Sequence, residues 1–364
     1  MRDRYHRQTL LPQVGEAGDQ RLARAHAVIV GIGALGTVSA QILVRAGVGT
    51  VTLIDRDVVE RTNLQRQVLF DEHDAHNATP KSLAAASRLR AINSDVRIRA
   101  AVCDVHHTNA ASLLGFEPAA HATPIDDDRA HEPLPPPSVI IDGTDNVETR
   151  LLINDISVSR RTPWVYAGAV SSEARLCVFD PRDGSRPCFR CLFPDVPPPG
   201  ALATCDTAGV FAPTTSLAGS WQAGEAIKLL LGDRAAASPH MLSIDLMTSA
   251  MRTIDVTGAR DPECPCCARA DFAYLEGGAG SRTESLCGRD AVQIAPRDAH
   301  AIDLVMLSES LRSVAEVRAS RFVLRARLRD EAIELSVFPD GRAIVGGTDS
   351  PERARAVYAR YVGA

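Results

Sequence analysis

Apolar and polar residues follow one another along the first 170 residues in blocks that predict strands and helices in turn. Short apolar runs predict buried strands at 27–30, 51–55, 96–102, 139–142 and 164–166. Longer stretches with apolar residues three and four positions apart predict helices at 37–46, 81–92 and 147–159. Alternation of this kind is typical of a doubly wound, Rossmann-like α/β fold, in which helices cover both faces of a parallel sheet.

The hydrophobic pattern changes after the glycine-rich residues 277–280. Up to that point the chain still predicts a helix at 213–231 and strands within 241–256. Beyond it, a helix is predicted at 301–312, strands at 322–328, 333–338 and 342–345, and a last helix at 351–362. We therefore predict an α/β domain over residues 1–275 and a small C-terminal α+β module over 281–364.

One stretch of the α/β domain has little periodicity. Residues 105–137 contain three consecutive aspartates and three consecutive prolines. Such a composition is typical of surface loops, so we predict a mobile insertion here.

The composition excludes several classes of protein. The chain is 45% hydrophobic, which is too apolar for a disordered protein, and no apolar run reaches the length of a membrane span. Its net charge of -5 does not favour a nucleic-acid partner. The N-terminal residues lack the pattern of a signal peptide, so we expect a cytoplasmic protein. In a reducing compartment, the nine cysteines are expected to be metal ligands or reactive thiols rather than disulfides.

A glycine-rich loop lies between the first predicted strand and helix. Gly31, Gly33 and Gly36 have the spacing of a dinucleotide-binding loop, which brings backbone N–H groups and a helix N-terminus close to a phosphate. Asp55 ends the next strand, the position of a carboxylate that binds ribose hydroxyls. These residues predict a ligand containing adenosine. Taken alone, they also permit an NAD-dependent oxidoreductase.

Further along the chain, the motifs differ from those of a dehydrogenase. Over roughly residues 4–270 the sequence resembles the MoeB/ThiF family of ubiquitin-activating-type adenylyltransferases. The resemblance is carried by Arg4–Gln8, the glycine loop, Asp55-x-Asp57, Asn63–Arg66, Lys81, Thr144–Asn146, two CxxC pairs and residues 205–210. It implies that a carboxylate of a protein substrate is activated with ATP and Mg²⁺.

The resemblance also implies roles for individual residues. Arg66 and Lys81 match positions that contact the ATP phosphates, Asn63 a polar contact, and Asp55 the ribose contact. Asp145 matches the Mg²⁺-associated carboxylate, and Asn146 lies beside it. Asp142 is the alternative metal contact. Asp57 is interpreted as structural.

Arg7 matches an arginine that reaches the ATP of a neighbouring subunit, which implies a homodimer. Ala34 stands where the family often has glycine; we expect ATP binding to persist, because a backbone contact tolerates a methyl group.

The two CxxC pairs predict a closed tetrahedral zinc site formed by Cys188, Cys191, Cys264 and Cys267. The family has a structural zinc at these positions. Cys266 is an alternative ligand, but the spacing favours Cys264 and Cys267. A redox pair fits less well, because neither CxxC is predicted at the start of a helix that follows a strand.

Cys205 matches a family position that forms a covalent intermediate with the protein substrate in some members, so it is a candidate nucleophile. The C-terminal module lacks a cysteine loop of the rhodanese type, which implies a separate sulfur donor.

The leading hypothesis is adenylation of a small ubiquitin-like sulfur-carrier protein that ends in Gly-Gly, as in molybdopterin, thiamine or thiolated-tRNA synthesis. Alternatives are adenylation of a biosynthetic peptide or a conjugation substrate, an NAD-dependent oxidoreductase, and a non-catalytic scaffold.

Overall fold

The computed structural model describes residues 3–118, 125–194, 208–233, 237–278, 283–286, 291–294, 302–329 and 331–362. These residues divide into two compact units. Residues up to 278 contribute to the first, and residues from 283 onward make up most of the second. No helix in the described ranges is long and apolar enough to cross a membrane.

Two sheets contain the strands. Those of the larger sheet are β1 His26–Val30, β2 Thr50–Asp55, β3 Arg97–Val102, β4 Ile125–Asp127, β5 Val139–Asp142, β6 Trp164–Val170, β7 Glu173–Phe179, β8 His240–Asp245 and β9 Ala250–Asp255. Those of the smaller sheet are β10 Thr283–Leu286, β11 Ala291–Ile294, β12 Ala315–Ala319, β13 Leu324–Leu328, β14 Glu334–Val337 and β15 Ala343–Gly346.

Eleven α-helices are described. They are α1 His6–Thr9, α2 Gly15–Arg24, α3 Ala34–Arg45, α4 Glu72–His76, α5 Lys81–Ile92, α6 Ala110–Leu113, α7 Val147–Arg160, α8 Phe189–Leu192, α9 Ala212–Leu230, α10 Leu304–Leu311 and α11 Pro351–Tyr361. Two 3₁₀ helices lie at Asp3–Tyr5 and Arg61–Asn63.

The larger sheet has the order β4-β3-β2-β1-β5-β6-β7-β8-β9. Its centre, from β3 to β6, is parallel, and its outer strands pair antiparallel. Side chains of β1 alternate between two apolar layers: Ala27 and Ile29 pack in one, Val28 and Val30 in the other. A strand buried on both faces needs this continuous apolar run. The predicted Rossmann-like α/β class is therefore confirmed.

Most predicted elements occur close to their predicted positions. The helix over 81–92 and the strand over 139–142 have the predicted bounds. A second, small unit with a six-stranded antiparallel sheet follows at the C-terminus. Helix α3 begins at Ala34 rather than at residue 37, because the glycine loop leads directly into it. Strand β12 was not predicted; it begins at Ala315, after a short turn that follows helix α10.

The stretch 105–137, predicted as a surface loop, contains helix α6 and strand β4. Asp127 on β4 accepts two hydrogen bonds from Arg97, at 3.1 and 2.8 Å, and lies 3.4 Å from Arg99. Both arginines are buried on the adjacent strand β3, so the carboxylate compensates their charge. An ion-pair cluster therefore attaches β4 to the sheet, whereas the mobility of the stretch stays a prediction.

His26, the first residue of β1, is fully buried and connects two segments. Its Nδ1 lies 2.8 Å from the carbonyl oxygen of Pro135, and its Nε2 lies 2.8 Å from Oγ1 of Thr52. Burial lowers the pKa of His26 to about 4, and nearby Arg99 and Arg97 also disfavour the charged ring. The folded protein therefore holds a neutral imidazole.

We predict that this histidine makes the protein less stable in acid. Because the pKa is lower in the folded state, the unfolded chain binds more protons between pH 6.5 and 4, and stability falls as the pH decreases through that window. The expected loss is roughly 3 kcal/mol. It should be measured by urea unfolding across this pH range and compared with His26→Asn, whose amide can still donate to Pro135. Equal pH dependence in the two proteins would contradict the assignment.

Candidate nucleotide site and cysteine cluster

The candidate nucleotide site lies at the carboxyl ends of the central parallel strands. The glycine loop follows β1, Asp55 ends β2, and the Thr144–Asn146 turn follows β5. The chain crosses over from the β1–β2–β3 side of the sheet to β5, so β1 and β5 flank the topological switch point. Ligands of open α/β sheets bind in the crevice at this point.

The glycine loop combines close packing with an open position. Gly31 has φ +89°, and an added Cβ would lie 2.6 Å from the carbonyl carbon of Gly143. At Gly36 a Cβ would lie 2.0 Å from the Gly31 oxygen, so neither position has room for a side chain. Around Gly33 the nearest atoms are 3.9 Å away, which leaves space above the N-terminus of α3. Ala34 is the first residue of this helix, and no side chain caps the helix N-terminus.

Asp55 has a role that its position in the sequence did not reveal. Its Oδ2 accepts a hydrogen bond from the N–H of Ile32 at 2.6 Å, and its Oδ1 accepts one from the N–H of Asp57 at 2.7 Å. Burial raises the pKa of Asp55, and the nearby Lys81 ammonium opposes that rise. The carboxylate predicted to bind ribose therefore also anchors the glycine loop.

Lys81 is the first residue of α5, and only 4% of it is exposed. Its Nζ lies 3.0 Å from Oδ2 of Asp57, and its backbone N–H donates to the Asp57 carbonyl at 2.9 Å. Asp57, which the sequence suggested is structural, is thus the ion-pair partner of the predicted phosphate-binding lysine. The pair places one compact cation beside the crevice.

The run after Asp57 contributes buried polar groups that have unused hydrogen-bonding capacity. Asn63 is buried, and its Oδ1 accepts a hydrogen bond from the N–H of Glu60 at 3.0 Å. Arg66 in the same run is half-buried and donates to the Thr62 carbonyl at 2.8 Å. Nδ2 of Asn63 and Oε1 of Gln67 have no hydrogen-bond partner within the described residues. A bound polar ligand such as ATP would satisfy such groups. Gln67 lies next to the Asn63–Arg66 motif, but sequence reasoning did not select it.

The turn after β5 separates the two carboxylates that the sequence left as alternatives for Mg²⁺. Asp142 is fully buried and pairs with Arg150 through Oδ2 at 2.9 Å, whereas Asp145 is exposed. Oδ1 of Asn146 accepts the N–H of Thr149 at 2.9 Å and caps α7. Of these two carboxylates, only that of Asp145 is accessible. Arg150 was not predicted, although a buried aspartate requires a cationic partner.

Two further residues were predicted to belong to the site, Arg7 and Cys205. Arg7 lies in α1 and is exposed. Cys205 lies outside the described residues.

The cysteine cluster brings together two pairs that are 76 residues apart in the chain. Its Sγ atoms are separated by 3.8 Å (Cys188–Cys191), 3.6 Å (Cys188–Cys264) and 3.5 Å (Cys191–Cys267), and all four lie within 4.8 Å of one another. A tetrahedral zinc with sulfur ligands at ~2.3 Å places the sulfurs about 3.8 Å apart. The four thiols therefore fit a structural zinc ion.

Cys266 and Asn154 complete the surroundings of the cluster. Asn154 of α7 donates to Sγ of Cys266 at 3.2 Å and to Sγ of Cys188 at 3.8 Å. Burial, with the neighbouring Cys191 thiol, raises the pKa of Cys267 to about 12, so a cation is required to hold it as a thiolate. Cys188 directly precedes the four-residue helix α8, but residues 180–187 separate it from strand β7.

The comparisons with known proteins agree with this arrangement. The ThiF family model matches residues 5–266, which is more than half of the chain. The chain belongs to the ThiF family.

This ThiF-family chain has relatives that are similar over most or all of its length. It is 37% identical over 364 residues to the sulfur carrier protein ThiS adenylyltransferase of Bacillus subtilis (strain 168), covering 100% of both chains. It is 39% identical over 268 residues to a sulfur carrier protein adenylyltransferase of Thermus thermophilus, covering 73% of this chain and 90% of the relative. The first match includes the C-terminal unit.

The fold of this ThiF-family member is similar to that of E. coli MccB. A crystal structure of MccB with MccA-N7isoASN aligns with a TM-score of 0.56 and 22% identity, covering 73% of this chain and 74% of that one. At this identity the likeness concerns the fold alone.

Proposed function

We propose that this protein is an ATP-dependent adenylyltransferase that activates the C-terminal carboxylate of a small ubiquitin-like sulfur-carrier protein. The observation that carries the proposal is the full-length similarity to the ThiS adenylyltransferase of B. subtilis. The surroundings of the glycine loop support it: Nε2 of Gln67 lies 3.9 Å from the position of a Cβ added at Gly33, and polar atoms of Asn63 and Gln67 have no hydrogen-bond partner among the described residues.

In the proposed reaction, a carboxylate oxygen of the carrier's terminal glycine attacks the α-phosphorus of ATP. A new P–O bond forms, the bond between the α-phosphorus and the α–β bridging oxygen breaks, and pyrophosphate leaves with its electron pair. This chemistry depends on positioning and charge stabilisation. Lys81 and Arg66 bind the phosphates, the N-terminus of α3 donates N–H groups, and Asp55 accepts from the ribose while anchoring the glycine loop.

The two metals have separate roles in this proposal. Asp145 and its neighbour Asn146 would hold Mg²⁺, which would neutralise negative charge on the phosphates. Cys188, Cys191, Cys264 and Cys267 hold Zn²⁺, which ties the chain segments around residues 188–191 and 264–267 together without taking part in the reaction.

We also propose that the active unit is a homodimer in the cytoplasm. Arg7 extends to the ATP of the partner subunit, and the exposed Leu10 and Leu11, 67% and 54% accessible, form part of the interface. The sulfur donor is a separate protein. Cys205 is the candidate for a covalent link to the carrier.

The test is ATP–pyrophosphate exchange with each small Gly-Gly-ending protein of the source organism. The protein should catalyse exchange that depends on one carrier and stops when the carrier's terminal glycine is deleted. No exchange with any carrier, or tighter binding of NAD than of ATP·Mg²⁺, would contradict the proposal. Exchange with a short peptide alone would replace the carrier by a peptide substrate.

A further inference from the structure

The carboxylate of Asp142 is central to the turn that follows β5. Its Oδ1 accepts two hydrogen bonds from Thr144, from the backbone N–H at 2.9 Å and from the hydroxyl at 2.8 Å. Its Oδ2 accepts a hydrogen bond from Nε of Arg150 at 2.9 Å. A fully buried carboxylate with these partners holds Thr144 and Arg150 in one geometry.

Arg150 extends this network to a neighbouring strand. Its Nη2 donates to the carbonyl of Thr144 at 2.6 Å and to the carbonyl of Ala167 on β6 at 3.3 Å. The guanidinium lies 5.0 Å from the ring centroid of Tyr166 on the same strand. The planar fork thus connects the turn, the end of β5 and the adjacent strand, a geometry that an ammonium group cannot reproduce.

The backbone on the far side of Asp145 is restrained as well. Asn146 caps α7, and its carbonyl accepts the backbone N–H of Arg150 at 3.2 Å. Thr144 and Asn146 are therefore both held by contacts that involve Arg150 or its helix. The residue between them, Asp145, has an exposed side chain, and the backbone groups of both its neighbours are hydrogen-bonded.

From this network we infer that Arg150 is a positioning residue: acting through Asp142 and the Thr144 carbonyl, it holds the turn in the geometry in which Asp145 binds the Mg²⁺ of the nucleotide. The inference rests on the proposed function. Arg150 itself contacts neither substrate nor metal. Small displacements of such a group are costly, since a shift of about 1 Å can reduce a rate by ~10²-fold.

The decisive measurement is the Mg²⁺ dependence of carrier-dependent pyrophosphate exchange in Arg150→Lys. The Mg²⁺ concentration for half-maximal exchange should rise about 10-fold, because the charge stays near Asp142 but the fork to the two carbonyls is lost. Thr144→Val, which removes the hydroxyl contacts with the Asp142 carboxylate at 2.8 Å and the Asn146 carbonyl at 3.5 Å but keeps Arg150, should give a smaller shift in the same direction. The matched control is Arg160→Lys on the same helix, where an exposed ion pair with Glu117 should be dispensable.

A double-mutant comparison separates positioning from a purely structural role. If Arg150 acts through Asp145, Arg150→Lys should add little to the loss caused by Asp145→Asn. Additive losses would overturn this inference but not the proposed function. The same holds for a lower melting temperature with an unchanged Mg²⁺ dependence in both Arg150→Lys and Thr144→Val. If the wild-type protein shows no exchange with any carrier, the proposed function fails and the inference fails with it.

Discussion

Replacing Lys81 with alanine should reduce carrier-dependent pyrophosphate exchange by about 10³-fold, close to abolition. The loss of one charged group that stabilises a transition state in a site screened from water commonly costs about 10²–10³-fold, and here the half-buried partner Asp57 would also be left without its ammonium at 3.0 Å. The negative charge of Asp57 would then face the triphosphate. Exchange rates and ATP binding test this expectation, with circular dichroism to check that the variant is folded like the wild-type protein.

Lys81→Arg should also be impaired, by at least 10-fold, although it keeps the charge. The lysine is 4% exposed, and a planar guanidinium is bulkier and directional where a compact ammonium fits. The chain has 40 lysines and arginines, of which only Lys81 and Lys228 are lysine. This scarcity offers a matched control: Lys228→Arg, which keeps the ion pair with Glu225, should retain full activity. Full activity of Lys81→Arg would show that the site does not require a compact cation.

Cys264→Ser should release the zinc ion and lower the melting temperature by roughly 10 °C. The cluster closes a loop between chain segments 76 residues apart, and a lost structural metal costs several kcal/mol of folding free energy. Zinc content by elemental analysis and thermal unfolding, with and without a chelator, give two readouts that are independent of enzymatic activity.

The matched control is Cys266→Ser, two residues away and equally buried. Sγ of Cys266 accepts a hydrogen bond from Asn154 and lies outside the set of four converging thiols, so this variant should keep one zinc ion per chain. If Cys266→Ser loses the metal while Cys264→Ser retains it, the ligand set proposed for zinc is wrong.

Local patterns were sufficient for much of the fold. The helix from Lys81 to Ile92 and the strand from Val139 to Asp142 follow directly from apolar spacing, since burial of one helical face or of a short strand leaves a periodic trace in the sequence. The two CxxC pairs likewise indicate a tetrahedral thiolate site, because the spacing within each pair is a local property.

Side-chain partners in the site could not be predicted in this way. The pairing of Lys81 with Asp57 joins residues 24 positions apart, and that of Arg150 with Asp142 joins the end of a strand to the following helix. The anchoring of Ile32 by Asp55 similarly crosses from one strand end to the next. Periodicity does not encode which buried carboxylate meets which cation, because that depends on how the strand ends align.

The sequence by itself determined the alternation of strands and helices, the glycine loop after β1 and the residue types available for nucleotide and zinc. Tertiary structure decided which of them converge. It buries Asp142 and exposes Asp145, and it brings the thiols of Cys188, Cys191, Cys264 and Cys267 together, whereas Cys266 is not one of the four. The physical reason is that secondary structure responds to neighbours within a few positions, whereas a site is formed by desolvation and contacts between segments that only the packed sheet brings together.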